Sequence, residues 1–447
     1  MFYNLTLHIE NAREIMSAFR DLRPAARPVA ITLCLVALLA GCSGGGGGDA
    51  CATVEQNRFV HQDLLDRYYW YQQVPNDIDY GRFASPQETL SYLRYDTFDR
   101  FSYIASQTAF DNLFNNGTYI GYGFSYFVEH GASAWVRFVY SQSPAAAAGM
   151  ERGDEILSIN GQSVASVIAT DGWATIFGPA EPGIPLSIEL RRKSGLVETL
   201  RLDKNTVTIN TVLHSEVIDS GVNRIGYLVF NSFLNTSLAE LDPVFAQFKA
   251  DNVNHLILDL RYNGGGSISV ARDLASYIKT TSLANSETYV ELRYNDKLQS
   301  NNFRYYFRPL TNSLGLDELT VVISESTCSA SEQLVSALQP YFSRVTTVGG
   351  SSCGKPVGMN PVDFCDLTLV AVNFAGFNAA GQGDYFDGIP ADCAASDDVA
   401  LELGDPVEPM LQAARYFIDN RSCQVSFRAR QRRPNKLQGL QLVSGAV

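Results

Sequence analysis

One stretch constrains the fold more than any other: residues 324–355, where a small-residue turn leads into a helix and a strand returns to a lysine. The apolar run at residues 319–323, directly before it, predicts a buried strand. The small residues 327–331 predict a turn that opens a helix over residues 332–341. A β-branched strand at residues 345–348 and a Gly/Ser loop follow. Because the first N–H groups of a helix lack intrahelical partners, this elbow would direct N–H donors at whatever its serine contacts.

Ser329 and Lys355 are the candidate nucleophile and general base of this stretch. A serine hydroxyl is a weak nucleophile until a base removes its proton. No histidine lies nearby in the sequence and no G-x-S-x-G elbow is present, so lysine is the available base. A lysine acts as a base only when neutral, and burial can lower its pKa from about 10.4 to about 7. The alternative interpretation is structural: a helix capped by Ser329 or Ser331, with Glu332 in its first turn and Lys355 on the surface.

The words C-S-A-S-E-Q-L-V-S-A-L and G-K-P-V-G resemble the nucleophile and lysine motifs of the C-terminal processing (tail-specific) serine peptidases. This resemblance implies that Ser329 is the nucleophile and Lys355 the base. A third word, L-D-L-R-Y-N-G-G-G at residues 258–266, resembles the D-L-R-x-N-x-G-G signature of the same family. Two departures concern the lysine. Met359 stands where many members have an orienting glutamine, and the serine-to-lysine spacing is one residue longer than expected.

The glycine-rich word has a candidate role, because an acyl-transfer site needs N–H donors aimed at the developing oxyanion. By resemblance, the backbone of Gly264 or Gly265 gives one N–H of an oxyanion hole, and Ala330 gives another. Asp259 and Arg261 are interpreted as structural, an ion pair that holds the loop. The alternatives are a plain flexible turn or a phosphate loop, and the latter is disfavoured because no G-K-[ST] follows.

Residues 116–204 resemble a PDZ domain. The loop close to that family's G-L-G-F carboxylate-binding sequence consists of Gly121, Tyr122, Gly123 and Phe124, and residues 143–161 match the second half of the domain. In β-augmentation, a peptide adds as a strand to the sheet edge while backbone N–H groups hold its terminal carboxylate. The alternative is a glycine turn in an ordinary hairpin.

Residues 1–42 resemble a bacterial lipoprotein signal peptide, in which arginines precede an apolar run and L-A-G-C ends at Cys42, the predicted lipidation site. The run is shorter than the about 20 residues of a membrane span, and Met16 is an alternative start. Residues 43–52 predict a Gly-rich tether. We therefore expect a lipid anchor at a bacterial membrane, facing the periplasm, with the outer membrane favoured by Ser43.

The rest of the chain predicts an N-terminal helical region at residues 53–115, a core at residues 205–425 and a basic, disordered tail at residues 426–447. In the N-terminal region, an aromatic stripe at near-helical spacing predicts a helix that ends at Pro75. The word D-R-F-S-Y at residues 99–103 resembles one found ahead of the PDZ domain in the same peptidases. Alternating strands and helices in the core indicate an α/β fold. The expected fold class is an α/β catalytic core with mixed sheets, an inserted PDZ domain and an N-terminal helical region.

Six of the eight cysteines follow residue 42. An even number in an oxidising compartment predicts disulfides, and our hypothesis is that Cys328 and Cys353 pair and pin the elbow to the lysine loop. Cys328 as the nucleophile is a weaker alternative, since no histidine base is nearby. The sequence shows no zinc-ligand spacing, so neither a metal nor another cofactor is expected.

These observations predict a serine endopeptidase that cleaves unfolded or C-terminally exposed proteins through an acyl-enzyme, with the PDZ domain binding substrate or gating the site. The expected partners are polypeptides with exposed C-termini and a membrane, with a homo-oligomer left open. A net charge of -13 argues against nucleic acid. The main alternative is a non-catalytic PDZ-bearing peptide-binding protein on a peptidase scaffold. A small-molecule esterase leaves the PDZ domain unexplained.

Overall fold

The computed structural model describes residues 49–129, 133–170, 172–279 and 287–424. Its α-helices are α1 (Thr53–Arg67), α2 (Pro86–Leu93), α3 (Gln107–Phe114), α4 (Pro144–Ala147), α5 (Val164–Ala169), α6 (Trp173–Phe177), α7 (Ser237–Ala250), α8 (Ile268–Ile278), α9 (Ala330–Leu338) and α10 (Pro409–Asn420). Its strands are β1 (Tyr103–Ser106), β2 (Thr118–Gly121), β3 (Phe124–Glu129), β4 (Ser133–Val139), β5 (Glu155–Ile159), β6 (Gln162–Ser163), β7 (Pro185–Arg191), β8 (Val197–Asp203), β9 (Asn205–Thr208), β10 (Val212–Ser220), β11 (Asn223–Phe230), β12 (His255–Asp259), β13 (Thr288–Tyr294), β14 (Phe303–Tyr306), β15 (Glu318–Ile323), β16 (Arg344–Gly349), β17 (Val357–Met359), β18 (Val362–Phe364), β19 (Leu367–Val370), β20 (Val372–Phe377) and β21 (Cys393–Ala394). Short 3-10 helices cover Tyr71–Gln73, Tyr80–Arg82 and Asp296–Asn301. The predicted signal peptide, most of the tether and the predicted tail lie outside the described residues.

The core is built on a six-stranded sheet with the strand order β10-β11-β12-β15-β16-β21. β10 pairs antiparallel with β11, and the other pairs of this sheet are parallel. Because successive side chains of a strand point to opposite faces, β11 buries Phe230 on the side of α7, α8 and α9 and Tyr227 on the side of α10. The carboxyl ends of the paired strands β12 and β15 place residues 260–266 beside residues 324–329.

Two smaller antiparallel sheets, β14-β13-β20-β17 and β1-β19-β18, extend the core. Helices α1 and α2 pack against them through Leu64 and Leu90, which share an apolar cluster with Val357 and Leu369. The loop between β16 and β17 contains Lys355. The N-terminal region therefore lies against the segment that leads away from this lysine.

The predicted N-terminal helical region is only partly helical. The first helix ends at Arg67 and does not continue to Pro75, and the region also contains strand β1. A tertiary hydrogen bond gives the physical reason, since the N–H of Tyr69 donates to the carbonyl of Val372 on β20 at 2.9 Å. A backbone donor satisfied by a distant strand is not available for the next helical turn.

The inserted domain leaves and rejoins the core through neighbouring strands, because β2 pairs antiparallel with β9. Inside it, the strand order is β3-β4-β5-β7-β8, with β6 paired to β5. Apolar side chains of α5 and α6, among them Val167 and Trp173, cover one face of this sheet. The structure confirms the predicted fold class of an α/β core with mixed sheets, an inserted domain and an N-terminal helical region.

Among the described helices, none combines the length and the apolar character that crossing a membrane requires.

Candidate active site

Ser329 lies at the turn from β15 into α9, where the sequence predicts an elbow. Its φ of 57° and ψ of -116° place it in a left-handed region that costs a residue with a Cβ on the order of 1–3 kcal/mol. The preceding loop is held by Thr327, whose Oγ1 accepts the N–H of Ser324 at 2.9 Å and donates to the carbonyl of Leu260 at 2.8 Å. The helix begins at Ala330, slightly before its predicted start. The surrounding contacts therefore fix a strained, partly exposed serine at a helix N-terminus.

Glu332 joins the candidate nucleophile to the candidate base through backbone hydrogen bonds. Its Oε2 accepts the N–H of Ser329 at 2.9 Å and the N–H of Lys355 at 2.8 Å. Its Oε1 accepts the N–H of Gly354 at 2.7 Å and the hydroxyl of Ser352 at 2.5 Å. Burial raises the pKa of this carboxyl, although these hydrogen bonds act in the opposite direction. The S-x-x-E spacing indicates a capping box but gives no sign of the contacts with residues 352–355.

A disulfide between Cys328 and Cys353 links the same two loops as Glu332 does, and it confirms the predicted pairing. It joins the residue before Ser329 to the loop of Lys355. A disulfide sulfur has no thiolate, so Cys328 is excluded as the nucleophile in this state. The two sulfurs and the Glu332 carboxylate lie within 4.8 Å of one another, but bonded sulfurs are not the thiolates that hold zinc. The other described cysteines form the pairs Cys51–Cys365 and Cys393–Cys423.

Lys355 is partly buried on the loop between β16 and β17. Loss of solvent lowers its pKa to about 8, against the opposing attraction of Asp99 and Glu332. At pH 7 about a tenth of such a lysine is neutral, compared with fewer than about one in a thousand at the reference pKa. Its Nζ lies 5.1 Å from the centre of the Phe101 ring. Within the described structure it makes no hydrogen bond with Ser329 Oγ.

The glycine loop lies directly against the candidate nucleophile. A Cβ built on Gly265 would lie 2.8 Å from the Cβ of Ser329, so the loop can approach this closely only with glycine there. The N–H of Gly265 donates to Asn263 Oδ1 at 2.9 Å. In the described part of the chain, the N–H groups of Gly264 and Ala330 bond to no acceptor. Of the two glycine alternatives, Gly264 therefore has the free donor.

A buried ionic network holds this loop. Arg261 is fully buried and forms the predicted ion pair with Asp259 at 2.7 Å. It also pairs with Glu408 at 2.8 Å and with Asp397 at 2.8 Å. Burial acts against the charged form of Asp397, but the charges of Arg152 and Arg261 keep its pKa below the usual range. The two guanidinium groups therefore favour the ionised form of Asp397, which pairs with both.

Arg152 connects the inserted domain to this network. Its guanidinium donates to the hydroxyl of Tyr262 at 2.6 Å, to Asp397 Oδ1 at 2.8 Å and to the carbonyl of Leu401 at 2.8 Å. Tyr262 immediately precedes Asn263, the residue that holds the glycine loop. A movement of the inserted domain would therefore act on the residue beside the free N–H donors.

The predicted carboxylate-binding residues lie where the inserted domain begins. Gly121 ends β2, Tyr122 is buried, and Phe124 begins β3. Gly123 has a φ of 89°, and a Cβ there would overlap the side chain of Ser143. Among the described strands, β3 pairs only with β4, so no described strand occupies the edge at which β-augmentation would add one.

The structure brings Ser329, Ala330 and the glycine loop into one site and ties the backbone of Lys355 to it through Glu332. Residues 121–124 belong to the separate inserted domain, and Cys42 lies outside the described residues. Sequence reasoning assigned no role to Arg152, and the D-R-F-S-Y resemblance was the one signal that could have pointed to Phe101.

Three family profiles match separate parts of the chain. Residues 224–395 match "Peptidase family S41", residues 55–103 match "Peptidase S41 N-terminal domain" and residues 135–172 match "PDZ domain". The first match includes the elbow, the glycine loop and the lysine loop.

Curated relatives include the "Carboxyl-terminal-processing protease" of Picosynechococcus sp., 27% identical over 233 residues, which covers 52% of this chain and 53% of the relative. "Carboxy-terminal processing protease CtpB" of Bacillus subtilis is 26% identical over 219 residues, 48% of this chain and 42% of the relative. The chain spans about half the length of the curated relatives it matches.

Among solved structures, a Bacteroides fragilis protein assigned to the S41 proteases has a TM-score of 0.65 at 23% identity, covering 81% of this chain and 97% of that one. A photosystem II D1 C-terminal processing protease has a TM-score of 0.50 at 19% identity, covering 81% of this chain and 97% of that one. At these identities the similarity establishes a shared fold.

Proposed function

The chain belongs to peptidase family S41 and contains a PDZ domain, and we propose that it is an endopeptidase with Ser329 as nucleophile and Lys355 as general base. The observation that carries the proposal is the position of Glu332. One oxygen of its carboxylate accepts the N–H groups of both residues, at 2.9 and 2.8 Å. This contact fixes a strained serine and a lysine of lowered pKa relative to each other.

In acylation, neutral Lys355 accepts the hydroxyl proton of Ser329 while Oγ forms a bond to the carbonyl carbon of the scissile peptide. The carbonyl oxygen becomes an oxyanion and receives hydrogen bonds from the N–H groups of Gly264 and Ala330. The C–N bond then breaks, and the Lys355 ammonium returns its proton to the departing amine. The product is an ester between Ser329 and the N-terminal part of the substrate.

In deacylation, Lys355 accepts a proton from a water molecule, whose oxygen attacks the ester carbonyl. The same two N–H donors stabilise the second oxyanion. The ester C–O bond breaks, Lys355 returns the proton to Ser329 Oγ, and the carboxylic acid product leaves. No metal takes part in these steps.

The substrates in this proposal are unfolded polypeptides or segments with exposed C-termini. The open edge of β3 would pair with the end of the substrate, and the loop of residues 121–124 would hold the terminal carboxylate. Through Arg152, which bonds to Tyr262 at 2.6 Å, occupancy of the PDZ domain would act on the glycine loop and so gate the site.

We also propose that the mature chain is a lipoprotein, anchored through Cys42 and facing the periplasm. The L-A-G-C word and the short apolar run before it support this location. Metabolic labelling with a fatty acid in a bacterial host tests it. The wild-type chain should incorporate label and Cys42→Ala should not, whereas equal labelling would contradict the anchor.

The test of the reaction uses an unstructured reporter protein with an apolar C-terminus. Wild type should cleave it and should be labelled on Ser329 by a fluorophosphonate, as read from the mass of the modified peptide. Ser329→Ala and Lys355→Ala should lose at least a thousandfold in kcat. The matched controls are Ser336→Ala, on the same helix, and Lys297→Ala, whose Nζ bonds to the carbonyl of Leu65. Equal activity of all variants would refute the dyad.

One observation favours a second candidate, a peptide-binding protein without catalytic activity. Lys355 Nζ lies over the Phe101 ring, and residue 359, which could orient it, is a methionine. In that case all variants would be inert towards the reporter but would bind its C-terminal peptide, and a fluorescence anisotropy titration would show it.

A further inference from the structure

The amine of Lys355 lacks a polar partner in the described structure. Nζ donates no hydrogen bond to any described residue. The side chain of Met359, on the strand that follows the lysine, contains no oxygen that could accept a hydrogen bond. The side chain of Asn360 contacts Tyr294 instead, because its Nδ2 donates to the Tyr294 hydroxyl at 2.6 Å, and the backbone carbonyl of Asn360 accepts from Nδ2 of Asn373 at 3.3 Å. A base that must accept a proton at one defined point therefore needs another means of orientation.

An aromatic ring from the N-terminal region occupies the place beside this amine. The centre of the Phe101 ring lies 5.1 Å from Lys355 Nζ. The neighbouring Arg100 donates from Nη2 to the carbonyl of Cys353 at 2.5 Å and lies 4.7 Å from the same ring. Two consecutive residues of one segment thus contact the lysine loop, one at its backbone and one at its amine.

The position of Phe101 is itself fixed by a buried carboxylate. Asp99 Oδ1 accepts the N–H groups of Phe101 and Ser102, both at 2.9 Å. Asp99 Oδ2 accepts the hydroxyls of Tyr68 and Ser102, both at 2.6 Å. Ser102 Oγ in turn accepts the N–H of Val372 on β20 at 3.0 Å. These bonds tie the backbone of the segment to the core sheet and so hold Phe101 beside the lysine loop.

We infer that Phe101 is the positioning residue for Lys355: its ring confines the amine and excludes water from it, so that the N-terminal region completes the active site. The inference rests on the proposed function, because it concerns the base of that reaction. It extends that function by giving residues 99–102 a part in catalysis although they touch no substrate.

The groups that face Lys355 determine in which direction its pKa should move when the Phe101 ring is removed. The carboxylates of Asp99 and Glu332 favour the ammonium form, yet the loss of solvent outweighs them and the pKa is lowered to about 8. The ring also attracts an ammonium, so its net contribution must come from excluding water. Removing the ring should therefore raise the pKa of Lys355 towards its reference value of 10.5. A rise to about 9 would leave about tenfold less neutral amine at pH 7.

The experiment measures the pKa of Lys355 directly, by competitive acetylation with acetic anhydride across pH 6 to 11 and mass spectrometry of the peptide that contains it. In Phe101→Ala, the labelling pKa should rise to about 9 or above, and the acid limb of kcat/KM on the reporter should move with it. Phe101→Tyr keeps the ring and should restore both. The matched control is Phe98→Ala, an exposed neighbour that packs on Trp70 and Phe386, which should change neither.

A second variant covers the case in which Phe101→Ala does not fold. Phe101→Leu keeps most of the apolar volume but loses the flat ring, so kcat should fall at least threefold while KM stays the same. The inference is refuted if the Phe101 variants fold and leave both the labelling pKa and kcat as in wild type. A failure of the proposed function would give a different result. The labelling pKa of Lys355 would still change in the Phe101 variants, but either Lys355→Ala would cleave the reporter as wild type does, or no variant would cleave it.

Discussion

Replacing Glu332 by glutamine tests whether one carboxylate holds the nucleophile and the base together. Its two oxygens accept four hydrogen bonds, from the N–H groups of Ser329, Lys355 and Gly354 and from the hydroxyl of Ser352. Glutamine keeps the shape but replaces one acceptor by an NH2 group that must face donors. The least costly orientation turns this NH2 towards Ser352, because a hydroxyl can rotate to accept. The N–H of Gly354 then loses its acceptor.

The expected loss in the free energy of unfolding is about 2–4 kcal/mol. A hydrogen bond to a charged group contributes about 1.5–3 kcal/mol, and one such bond is lost outright while the others lose their charge assistance. A partial offset comes from the carboxylate itself, since burial already raises the pKa of Glu332 and so disfavours its charged form. A neutral amide avoids that desolvation cost.

The same substitution has a separate signature in the pH dependence of activity. The Glu332 carboxylate favours the ammonium form of Lys355 and so raises its pKa. Without that charge the pKa of Lys355 should fall below about 8, and the acid limb of kcat/KM should move to lower pH. The maximal kcat should nevertheless fall at least tenfold, because Ser329 and Lys355 no longer share one anchor.

Urea unfolding and reporter cleavage across pH 6 to 10 measure the two effects. The matched control is Glu325→Gln, since Glu325 lies on the same loop and accepts no hydrogen bond in the described structure. It should unfold within about 0.5 kcal/mol of wild type, as most substitutions without such contacts do. If Glu332→Gln is as stable as this control and keeps the wild-type pH profile, the role given to the carboxylate is wrong.

Three further substitutions test other parts of the site. Replacing Cys328 and Cys353 together by serine should lower the free energy of unfolding by about 3 kcal/mol, since the disulfide closes a loop with a separation of 25 residues. Urea titration should show the lower stability, and reporter cleavage should show a lower kcat. An unchanged kcat would contradict the idea that the disulfide holds Ser329 and Lys355 in place. Lys355→Met should raise the free energy of unfolding by about 2–3 kcal/mol below pH 8. In urea titrations this gain should disappear as the pH rises towards 10.5, because the lysine of the unfolded chain then also loses its proton. A gain that does not depend on pH would contradict the lowered pKa of Lys355. Arg152→Ala leaves Asp397 with one buried partner fewer, so it should lower both the free energy of unfolding, by about 3 kcal/mol, and kcat. A stable variant with wild-type kcat would show that the PDZ domain is not coupled to the glycine loop.

Patterns that depend on neighbours in the sequence were predicted well. Strand β15 was expected from its continuous apolar run, and helix α9 from the small-residue turn before it. The start of helix α2 has a local cause of the same kind, because Ser85 lies before a proline and its Oγ accepts the N–H of Glu88 at 3.2 Å. In each case a few adjacent residues decide the local backbone, so the sequence contains the physical cause.

The end of helix α1 could not be predicted in this way. The aromatic spacing continues to Trp70, but the helix ends at Arg67 because Tyr68 and Tyr69 bond to distant groups. Tyr68 donates to Asp99 Oδ2 at 2.6 Å, and this acceptor lies 31 residues further along the chain, where no local sequence pattern can indicate it. Tertiary hydrogen bonds override a weak local preference for helix.

The sequence by itself indicated the kind of chemistry that we propose, because a serine at a strand-to-helix elbow and a lysine in a following loop are local features. It also raised the pairing of Cys328 with Cys353 as a hypothesis, which the structure confirms. Only the tertiary structure decided which groups surround the proposed pair: the carboxylate of Glu332, which bonds to the backbone of both Ser329 and Lys355, and the ring of Phe101, which lies beside the amine. The reason is physical, since desolvation and shared hydrogen bonds arise only where segments far apart in the chain are packed together.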